Sequence, residues 1–327
     1  MNQEEIDYLE SMGFTVQDTI AKGGFGTIHT VYSKLYKIVF AMKKIPETLF
    51  NEAEIECLKA IDNNKIIHLY HYFRFKENVY LLMEYCPNDL QNLINNGEVC
   101  TEEEIIRYTY GLIQAVKAVH DSKIAHCDIK PSNFLIDNYG RVKISDFGLS
   151  AFFSDESLCS IKRGTKLFMA PEILVKQPFD AFKSDIWALG ITIYYIATGR
   201  LPYYGGNAQE LLEKIQLGGY SLENVKNVYL KEIIYKCLRI NPECRSNCDG
   251  LLSSPLFDSV RQIREGFSQM NKFIPRGNSL QVLCNVTRSN KFPKVSIIHP
   301  TIKASRSRHS VATLSRLATR IPEEDIK

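Results

Sequence analysis

Several features are missing from the 327-residue sequence, and each absence narrows the class of protein. The longest apolar stretch, 186–198, contains Trp, Gly and two Tyr and is shorter than the ~20 residues that a membrane helix needs. The nine cysteines form no CxxC pair, which disfavours a zinc site. The acidic, polar start does not resemble a secretory leader. These absences predict reduced thiols, no transmembrane segment and a cytoplasmic location, with the nucleus as the alternative.

Positive charge is concentrated at the C-terminal end of the chain. Residues 258–327 contain 13 Lys or Arg and 5 Asp or Glu, a balance of +8, whereas the whole chain carries only +3 and residues 1–257 therefore carry −5. The small overall charge does not predict binding to nucleic acid. Because Ser, Asn, Thr and Pro accompany the basic residues, we expect a basic, flexible C-terminal extension. Docking of this extension to a partner or an acidic surface is the alternative interpretation.

The first third of the chain has the pattern of a β-sheet with one helix. Apolar residues alternate from Phe14 to Tyr32 around a glycine turn at 21–26, which predicts a β-hairpin. Further strands are predicted over 36–43, 66–73 and 79–85, and a helix over 52–61.

After Pro87 the apolar residues recur three or four positions apart, which predicts helices. Thr101 and Glu104 have the spacing of a capping box at the start of one of them. The predicted helices lie at 89–94, 101–120, 184–198, 208–217, 228–237 and 250–252. The sequence therefore predicts an α+β fold. A polar lead over 1–13 precedes a small β-rich lobe over about 14–86 and a larger α-rich lobe over about 87–257.

The stretch Ile124-Ala-His-Cys-Asp-Ile-Lys-Pro-Ser-Asn-Phe-Leu-Ile136 is rich in groups that can handle a phosphate. Asp128 could accept a proton, and Lys130 could neutralise phosphate charge. Asn133 and the later Asp146 are hard oxygen ligands of the kind that Mg²⁺ prefers. The intervening apolar residues indicate that the stretch is packed against the core.

The glycine turn Ala21-Lys-Gly-Gly-Phe-Gly26 is a weak signal alone, because any tight hairpin can use glycine. Its glycines would let backbone N–H groups approach a triphosphate, and Lys43 could reach the same phosphates. No Gly-Lys-Ser/Thr sequence is present, which excludes a P-loop. No acidic residue follows at the position that a dinucleotide-binding fold requires.

The ordered combination of motifs is a strong signal. The glycine turn and Lys43 are followed by Glu54 in a helix, then by the sequences His-Cys-Asp at 126–128, Asp-Phe-Gly at 146–148 and Ala-Pro-Glu at 170–172. Over about 14–257 the chain resembles a eukaryotic-type protein kinase of the serine/threonine class. The resemblance implies the two-lobed kinase fold and transfer of the γ-phosphate of ATP, with Mg²⁺, to Ser or Thr hydroxyls of protein substrates. A pseudokinase-like scaffold without catalysis is the alternative.

The resemblance also implies a role for each matching position. Asp128 corresponds to the catalytic base, Lys130 to a γ-phosphate contact, and Asn133 and Asp146 to the Mg²⁺ ligands. The backbone of Glu84 and Cys86 would bind adenine, and Met83 would guard the back pocket. The positions implied to bind the cofactor are Ala21, Lys22, Gly23, Gly24, Phe25, Gly26, Ile28, Ala41, Lys43, Glu54, Met83, Glu84, Cys86, Asp89, Leu135 and Asp146.

Other matching positions are expected to support the fold and the specificity. Glu172 and Arg245 resemble a buried ion pair of the larger lobe. Thr165 resembles the threonine that contacts the base and Lys130 in serine/threonine kinases. An apolar column that ties the lobes together is implied at Leu58, Leu69, His126 and Phe147.

Three positions depart from the family pattern. Ala21 replaces the first glycine of the loop, and the link from Lys43 to Glu54 is short, so that Glu52 is an alternative partner for the lysine. Cys127 replaces the arginine that usually precedes the catalytic Asp and binds a phosphate on the activation loop. A neutral thiol cannot form that charge-assisted pair. We therefore expect that phosphorylation of the loop is not the main on-switch.

Overall fold

Five antiparallel strands and two helices build the first lobe of the protein. The computed structural model describes residues 1–24, 26–96, 101–153, 158–160, 163–175 and 177–262. All of these residues belong to one unit over 1–276. The elements are α1 (Gln3–Ser11), β1 (Phe14–Gly23), β2 (Gly26–Ser33), β3 (Val39–Pro46), α2 (Glu52–Ala60), β4 (Leu69–Phe75) and β5 (Asn78–Glu84). The strands lie in the order β1-β2-β3-β5-β4, so that β3 is central.

Strand β3 separates two apolar clusters because successive side chains point to opposite faces of a sheet. Phe40 and Met42 belong to a small cluster with Leu9 of α1. Ile45 belongs to the large core that continues into the second lobe. Lys43 has the same parity as Ile45 and therefore lies on the face of α2 and the cleft. The central strand thus presents its lysine between the two lobes.

Residues 3–11 form helix α1, which differs from the polar lead predicted over residues 1–13. Its N-cap Asn2 accepts a hydrogen bond from the N–H of Glu5, whose side chain accepts one from the N–H of Asn2 in return, which is a capping box. Leu9 is buried and the Tyr8 ring stacks on Phe75 at a centroid distance of 4.0 Å. One apolar face therefore packs on the sheet, although the rest of the helix is polar.

The second lobe is mainly helical, as predicted. Its elements are β6 (Asn88–Asp89), α3 (Leu90–Asn95), α4 (Glu102–Asp121), β7 (Ile124–Ala125), β8 (Phe134–Ile136), β9 (Val142–Ile144), β10 (Ala151–Phe152), α5 (Pro171–Leu174), α6 (Ala181–Thr198), α7 (Ala208–Leu217), α8 (Val228–Cys237) and α9 (Cys248–Leu252). Helix α6 is apolar on nearly every side and is buried along most of its length, which makes it the centre of this lobe. The fold class predicted from the sequence is confirmed.

Short two- and three-residue strands carry the functional stretch at the edge of the second lobe. Strand β8 pairs with β6 and β9, and β7 pairs with β10. A 3₁₀ turn over Pro131–Asn133 leads into β8. These pairings fix the residues on either side of the turn to the lobe. Among the described helices, none combines the length and the apolar character needed to cross a membrane.

Candidate active site

A cavity of about 450 Å³ lies in the cleft between the sheet and the second lobe, within the size range of small-molecule sites. Every residue of the implied cofactor set lines this cavity except Phe25, which lies outside the described residues. Lys130 and Asn133 line it as well. Asp128 is placed beside both of them by hydrogen bonds. The structure therefore brings together residues that are more than 100 positions apart in the sequence.

Lys43 is the link between three elements of the site. Its Nζ lies 2.6 Å from Oε1 of Glu54 in α2 and 2.8 Å from Oδ1 of Asp146. Glu52 instead pairs with Arg74 on the surface, so it does not act as the substitute partner that the short link had suggested. The α2 helix is therefore positioned for the Lys43–Glu54 ion pair despite the short connection.

The two carboxylates keep Lys43 charged. Burial opposes the charge of this ammonium, but the attraction of Glu54 and Asp146 outweighs burial and raises its pKa above the usual range. Burial likewise opposes the charge of Asp146, and the neighbouring Lys43 lowers the pKa of that carboxyl below its usual range. Both groups are therefore ionised at neutral pH, as phosphate and Mg²⁺ binding require.

The glycine hairpin between β1 and β2 covers one end of the cavity. Gly26 has φ +143°, and a Cβ at this position would lie 2.1 Å from the carbonyl oxygen of Lys44. Only glycine fits there. Added Cβ atoms at Gly23 and Gly24 would meet nothing within 4 Å, so their backbone remains open to a ligand. Ala21 pairs with Ile28 in the hairpin, directly after an irregularity in the strand register between Thr19 and Ala21.

The connection between the lobes forms the opposite wall. Met83 is buried and pairs with Ala41 across β3 and β5. The Glu84 carboxylate lies 2.8 Å from the ammonium of Lys143, so its side chain braces the lobes. The backbone N–H of Glu84 donates to the carbonyl of His68 at 2.9 Å. Cys86 is buried, and burial raises the pKa of its thiol to about 12.

Asp89 caps helix α3 at the edge of the cavity. Its two carboxylate oxygens accept hydrogen bonds from the backbone N–H and the side-chain amide of Asn92, at 2.8 and 2.7 Å. Burial raises the pKa of this carboxyl. Asn92 also lines the cavity and was not predicted; its spacing of three residues from Asp89 on a helix was the available signal. A ligand hydroxyl at this edge would meet both side chains.

Asp128 is the centre of a dense hydrogen-bond network. Its Oδ2 accepts a bond from Nζ of Lys130 at 2.6 Å, and its Oδ1 accepts bonds from the backbone N–H and the hydroxyl of Thr165 at 2.9 and 2.8 Å. Lys130 also donates to the Thr165 hydroxyl at 3.1 Å. The contact set expected for a serine/threonine kinase is therefore present around this carboxylate.

Asn133 and Asp146 supply the oxygens suited to Mg²⁺. The amide nitrogen of Asn133 donates to the backbone oxygen of Asp128 at 2.8 Å, which leaves its amide oxygen as the atom that could ligate a cation. No group of three His, Cys, Asp or Glu side chains that could hold a metal occurs in the described part of the chain. Mg²⁺ commonly takes one or two protein ligands and completes its shell with water and substrate phosphates. This donor pair fits that pattern.

A buried carboxylate, Asp185 of α6, holds the backbone before Asp128. It accepts the N–H groups of His126 and Cys127 at 2.7 and 2.9 Å. Cys127 has φ +64°, a left-handed conformation that costs a non-glycine residue ~1–2 kcal/mol. The two charge-assisted bonds offset this cost. Asp185 therefore determines the conformation that directs Asp128 toward the cleft.

His126 is a packed residue, as expected. It is fully buried and its ring lies 5.1 Å from that of Phe147. Nδ1 accepts the N–H of Asp128, so Nε2 carries the proton and donates to the carbonyl of Ser145 at 3.0 Å. Leu58 and Leu69 belong to the same core. The ordered column that the sequence implied at these four positions stays a prediction.

Glu172 and Arg245 form the buried ion pair implied by the sequence. Nη1 and Nη2 of Arg245 donate to the two carboxylate oxygens at 2.5 and 2.8 Å. The arginine side chain is fully buried, and its guanidinium lies over the Trp187 ring at 5.0 Å. The pair connects the Ala-Pro-Glu motif to α6 and lies outside the residues that line the cleft.

Comparison with known proteins decides the family. The family described as protein kinase domain matches residues 14–257 of this chain, which is more than half of its length. The chain belongs to the protein kinase family. Its kinase domain thus includes every residue of the site described above.

The curated relatives are protein kinases as well. Sperm motility kinase 2A of Mus musculus is 32% identical over 244 residues, covering 72% of this chain and 48% of the mouse protein. Sperm motility kinase 2B of the same species is 31% identical over 247 residues, covering 74% and 51%. CBL-interacting serine/threonine-protein kinase 18 of Arabidopsis thaliana is 31% identical over 225 residues, covering 68% and 42%. The chain spans about half the length of these relatives.

Proposed function

We propose that this kinase domain transfers the γ-phosphate of ATP to Ser or Thr hydroxyls of protein substrates. The observation that carries the proposal is the arrangement around Asp128, whose carboxylate faces Lys130 at 2.6 Å and the Thr165 hydroxyl at 2.8 Å. Lys43, with its two carboxylate partners, lies in the adjoining cavity. A general base, two cations and hard oxygen ligands are the groups that phosphoryl transfer to an alcohol requires.

Each of these groups has a role in the proposed reaction. Lys43 holds the α- and β-phosphates, and Ile28, Ala41 and Leu135 sandwich the adenine ring. Asp128 orients the substrate hydroxyl and accepts its proton, while Lys130 neutralises charge on the transferring phosphoryl group. Mg²⁺ would be held by Asn133 and Asp146 and would supply charge neutralisation for the phosphates.

The preference for Ser and Thr over Tyr is supported by the position of Thr165. Its hydroxyl bridges Asp128 and Lys130, and its backbone follows Gly164, where a Cβ would lie 2.6 Å from the carbonyl of Cys127. The segment is therefore held tightly against Asp128, in the contact that the resemblance to serine/threonine kinases implies.

Incubation of the purified chain with labelled ATP, MgCl₂ and a mixed protein substrate tests the proposal. We expect label on phosphoserine and phosphothreonine after acid hydrolysis, and loss of labelling on chelation of Mg²⁺. Lys43→Met is expected to abolish the transfer. A wild-type protein that binds ATP but labels no substrate would instead support a scaffold without catalysis, and label on phosphotyrosine would contradict the proposed specificity.

We also propose a cytoplasmic location and a docking role for the basic extension over 258–327. The extension's balance of +8 favours an acidic partner surface. Arg261, near the start of the extension, donates to the carbonyls of Leu252 and Ser254, so a test variant should end after Gln262 to keep these contacts. Compared with the full chain, we expect this shortened variant to phosphorylate acidic protein substrates more weakly and short peptides equally well. Imaging of a fluorescent fusion tests the location.

A further inference from the structure

The position before Asp128 carries no charge in this chain, yet a cation lies beside it. Cys127 and Arg163 line the same small cavity of about 20 Å³, together with Asp128 and Asp185. Arg163 belongs to the segment between Gly148 and Ala170, which we call the activation segment. A guanidinium from this segment is therefore close to the position where related kinases usually carry an arginine on the catalytic loop.

Arg163 makes a specific contact within its own segment. Its Nη1 donates to the backbone carbonyl of Leu149 at 3.0 Å. Leu149 directly follows the Asp-Phe-Gly stretch, so this bond connects a later part of the activation segment to its beginning. The Nε of Arg163 is buried and has no hydrogen-bond partner within the described residues. The guanidinium therefore uses Nη1 to bind the backbone of Leu149, whereas its buried Nε makes no hydrogen bond to another described residue.

The next two residues attach the same stretch to the catalytic loop. Gly164 has φ +105° and packs so closely on the Cys127 carbonyl that no side chain fits between them. Thr165 donates its N–H and its hydroxyl to Asp128. The three residues 163–165 thus connect Leu149 on one side with Asp128 on the other. A displacement of Arg163 would be transmitted directly to Thr165 and hence to the proposed base.

Because the thiol of Cys127 is neutral, the guanidinium of Arg163 can lie in the same cavity without charge repulsion. Burial raises the pKa of Cys127, and Arg163 counteracts that rise only in part, so the residue remains an uncharged thiol. The neighbouring Asp185 and Asp128 provide the negative charge near the guanidinium. An arginine at position 127 would put a second cation in the same cavity, and the two like charges would repel each other at low dielectric.

We propose that Arg163 is a positioning residue that holds the activation segment in place from within the segment itself. The arginine does so without a phosphate on the loop, and Cys127 makes room for it. This inference rests on the proposed kinase function. It explains how the contacts of Thr165 with Asp128 and Lys130 form although the usual phosphate-binding arginine is absent.

Two kinds of variant test the proposal on the full chain, with phosphatase-treated protein and a peptide substrate. Arg163→Met is expected to lower kcat at least about tenfold, with KM for ATP changed less than about twofold and the melting temperature within about 3 °C. Arg163→Lys should restore part of the kcat. Ser154→Ala/Ser157→Ala/Ser160→Ala should leave kcat unchanged, because none of these serines belongs to the proposed machinery.

An exchange of the two residues provides a matched control. Cys127→Arg alone should lower kcat, because it adds a second cation next to Arg163. The double variant Cys127→Arg/Arg163→Cys removes that repulsion and should recover activity only after phosphorylation of the loop. If the Arg163→Met protein does not fold, the lysine variant and the double variant still show whether Arg163 holds the segment without a loop phosphate or binds such a phosphate.

The proposal is overturned if Arg163→Met has the kcat of the active wild type. It is also overturned if the triple alanine variant, compared with wild type without phosphatase treatment, loses activity as strongly as Arg163→Met, which would make Arg163 a receptor for a loop phosphate. These outcomes leave the kinase function intact. A wild-type protein that transfers no phosphate would contradict the kinase function itself, and this inference with it.

Discussion

The ammonium of Lys43 lies 2.6 Å from the carboxylate of Glu54, and both side chains are more than nine-tenths buried. The two residues are only eleven positions apart in the sequence. A 3₁₀ turn over Glu47–Leu49 fills part of that short link and delivers α2 with Glu54 facing the sheet. The position of the lysine at the phosphate site therefore depends on the position of this helix.

Glu54→Gln should lower kcat/KM for ATP by roughly tenfold or more, because removal of one partner leaves Lys43 with the Asp146 carboxylate alone. Glu52→Gln is the matched control, since Glu52 lies two positions earlier and pairs with Arg74 on the surface. Steady-state kinetics at varied ATP measures both. Equal losses in the two variants would contradict the assignment of Glu54.

Glu172→Gln should reduce the free energy of unfolding by about 3–5 kcal/mol, because Arg245 is fully buried and would lose its charged partner. Glu232→Gln breaks an exposed pair with Lys236 and should cost less than about 1 kcal/mol. Urea unfolding followed by fluorescence of Trp187 provides the comparison. A small effect of Glu172→Gln would show that the ion pair does not support the second lobe.

Glu5 gives a pH-dependent prediction for helix α1. Burial opposes the charge of Glu5, but hydrogen bonds from Lys44 and the Asn2 backbone outweigh burial and lower the pKa of this carboxyl. Because the pKa of Glu5 is lower in the folded protein than in the unfolded chain, its charged form stabilises the fold. This stabilisation is complete above the unfolded-state pKa of 4.5 and is lost as the pH falls through the lower pKa of the folded state. The stability difference between wild type and Glu5→Gln should therefore be largest near pH 7 and shrink below about pH 4.5.

Urea unfolding at pH 7 and below pH 4.5 measures that difference. The matched control is Glu4→Gln, since Glu4 is exposed on the same helix and pairs with Lys76 at the surface. Its stability difference from wild type should be small at both pH values. A difference for Glu5→Gln that did not change with pH would contradict the role of the Glu5–Lys44 pair in holding α1 on the sheet.

The cysteines should differ strongly in reactivity toward N-ethylmaleimide. Burial raises the pKa of Cys57 to about 11 and that of Cys86 to about 12, and it raises the pKa of Cys127 as well. Cys244 is exposed. Because the thiolate is the reactive form, Cys244 should be modified first among these residues in the native protein. Mass spectrometry of digests measures this order, and fast labelling of Cys127 would contradict its neutral, packed environment.

The local pattern of the sequence was sufficient for many elements. Helices α7 and α8 have the predicted bounds, because their apolar residues recur at helical spacing and an Asn precedes each as N-cap. Helix α1 was missed because its buried residues are only Glu5 and Leu9, and most of its other residues are polar. Its capping box at Asn2 and Glu5 was the signal that could have identified it.

Some residues of the site could likewise be predicted from the sequence, and others could not. The sequence motifs predicted Lys43, Asp128, Asn133 and Asp146 as site residues, and the structure places them together at the cleft. Asn92 could have been found from its spacing of three residues from Asp89 on a helix. The contact between Arg163 and the carbonyl of Leu149 could not be predicted, because it depends on how two segments approach in three dimensions. Periodicity and motif spacing contain no information on such contacts.

The kcat of Asp128→Asn with saturating ATP and Mg²⁺ tests the central claim most directly. The variant keeps the shape of the side chain and its contact with Thr165 but cannot accept the proton of the substrate hydroxyl. We expect kcat to fall by about 10²–10⁴-fold while ATP affinity stays within about threefold. Phosphate transfer by Asp128→Asn at a rate within about threefold of the wild type would contradict the account.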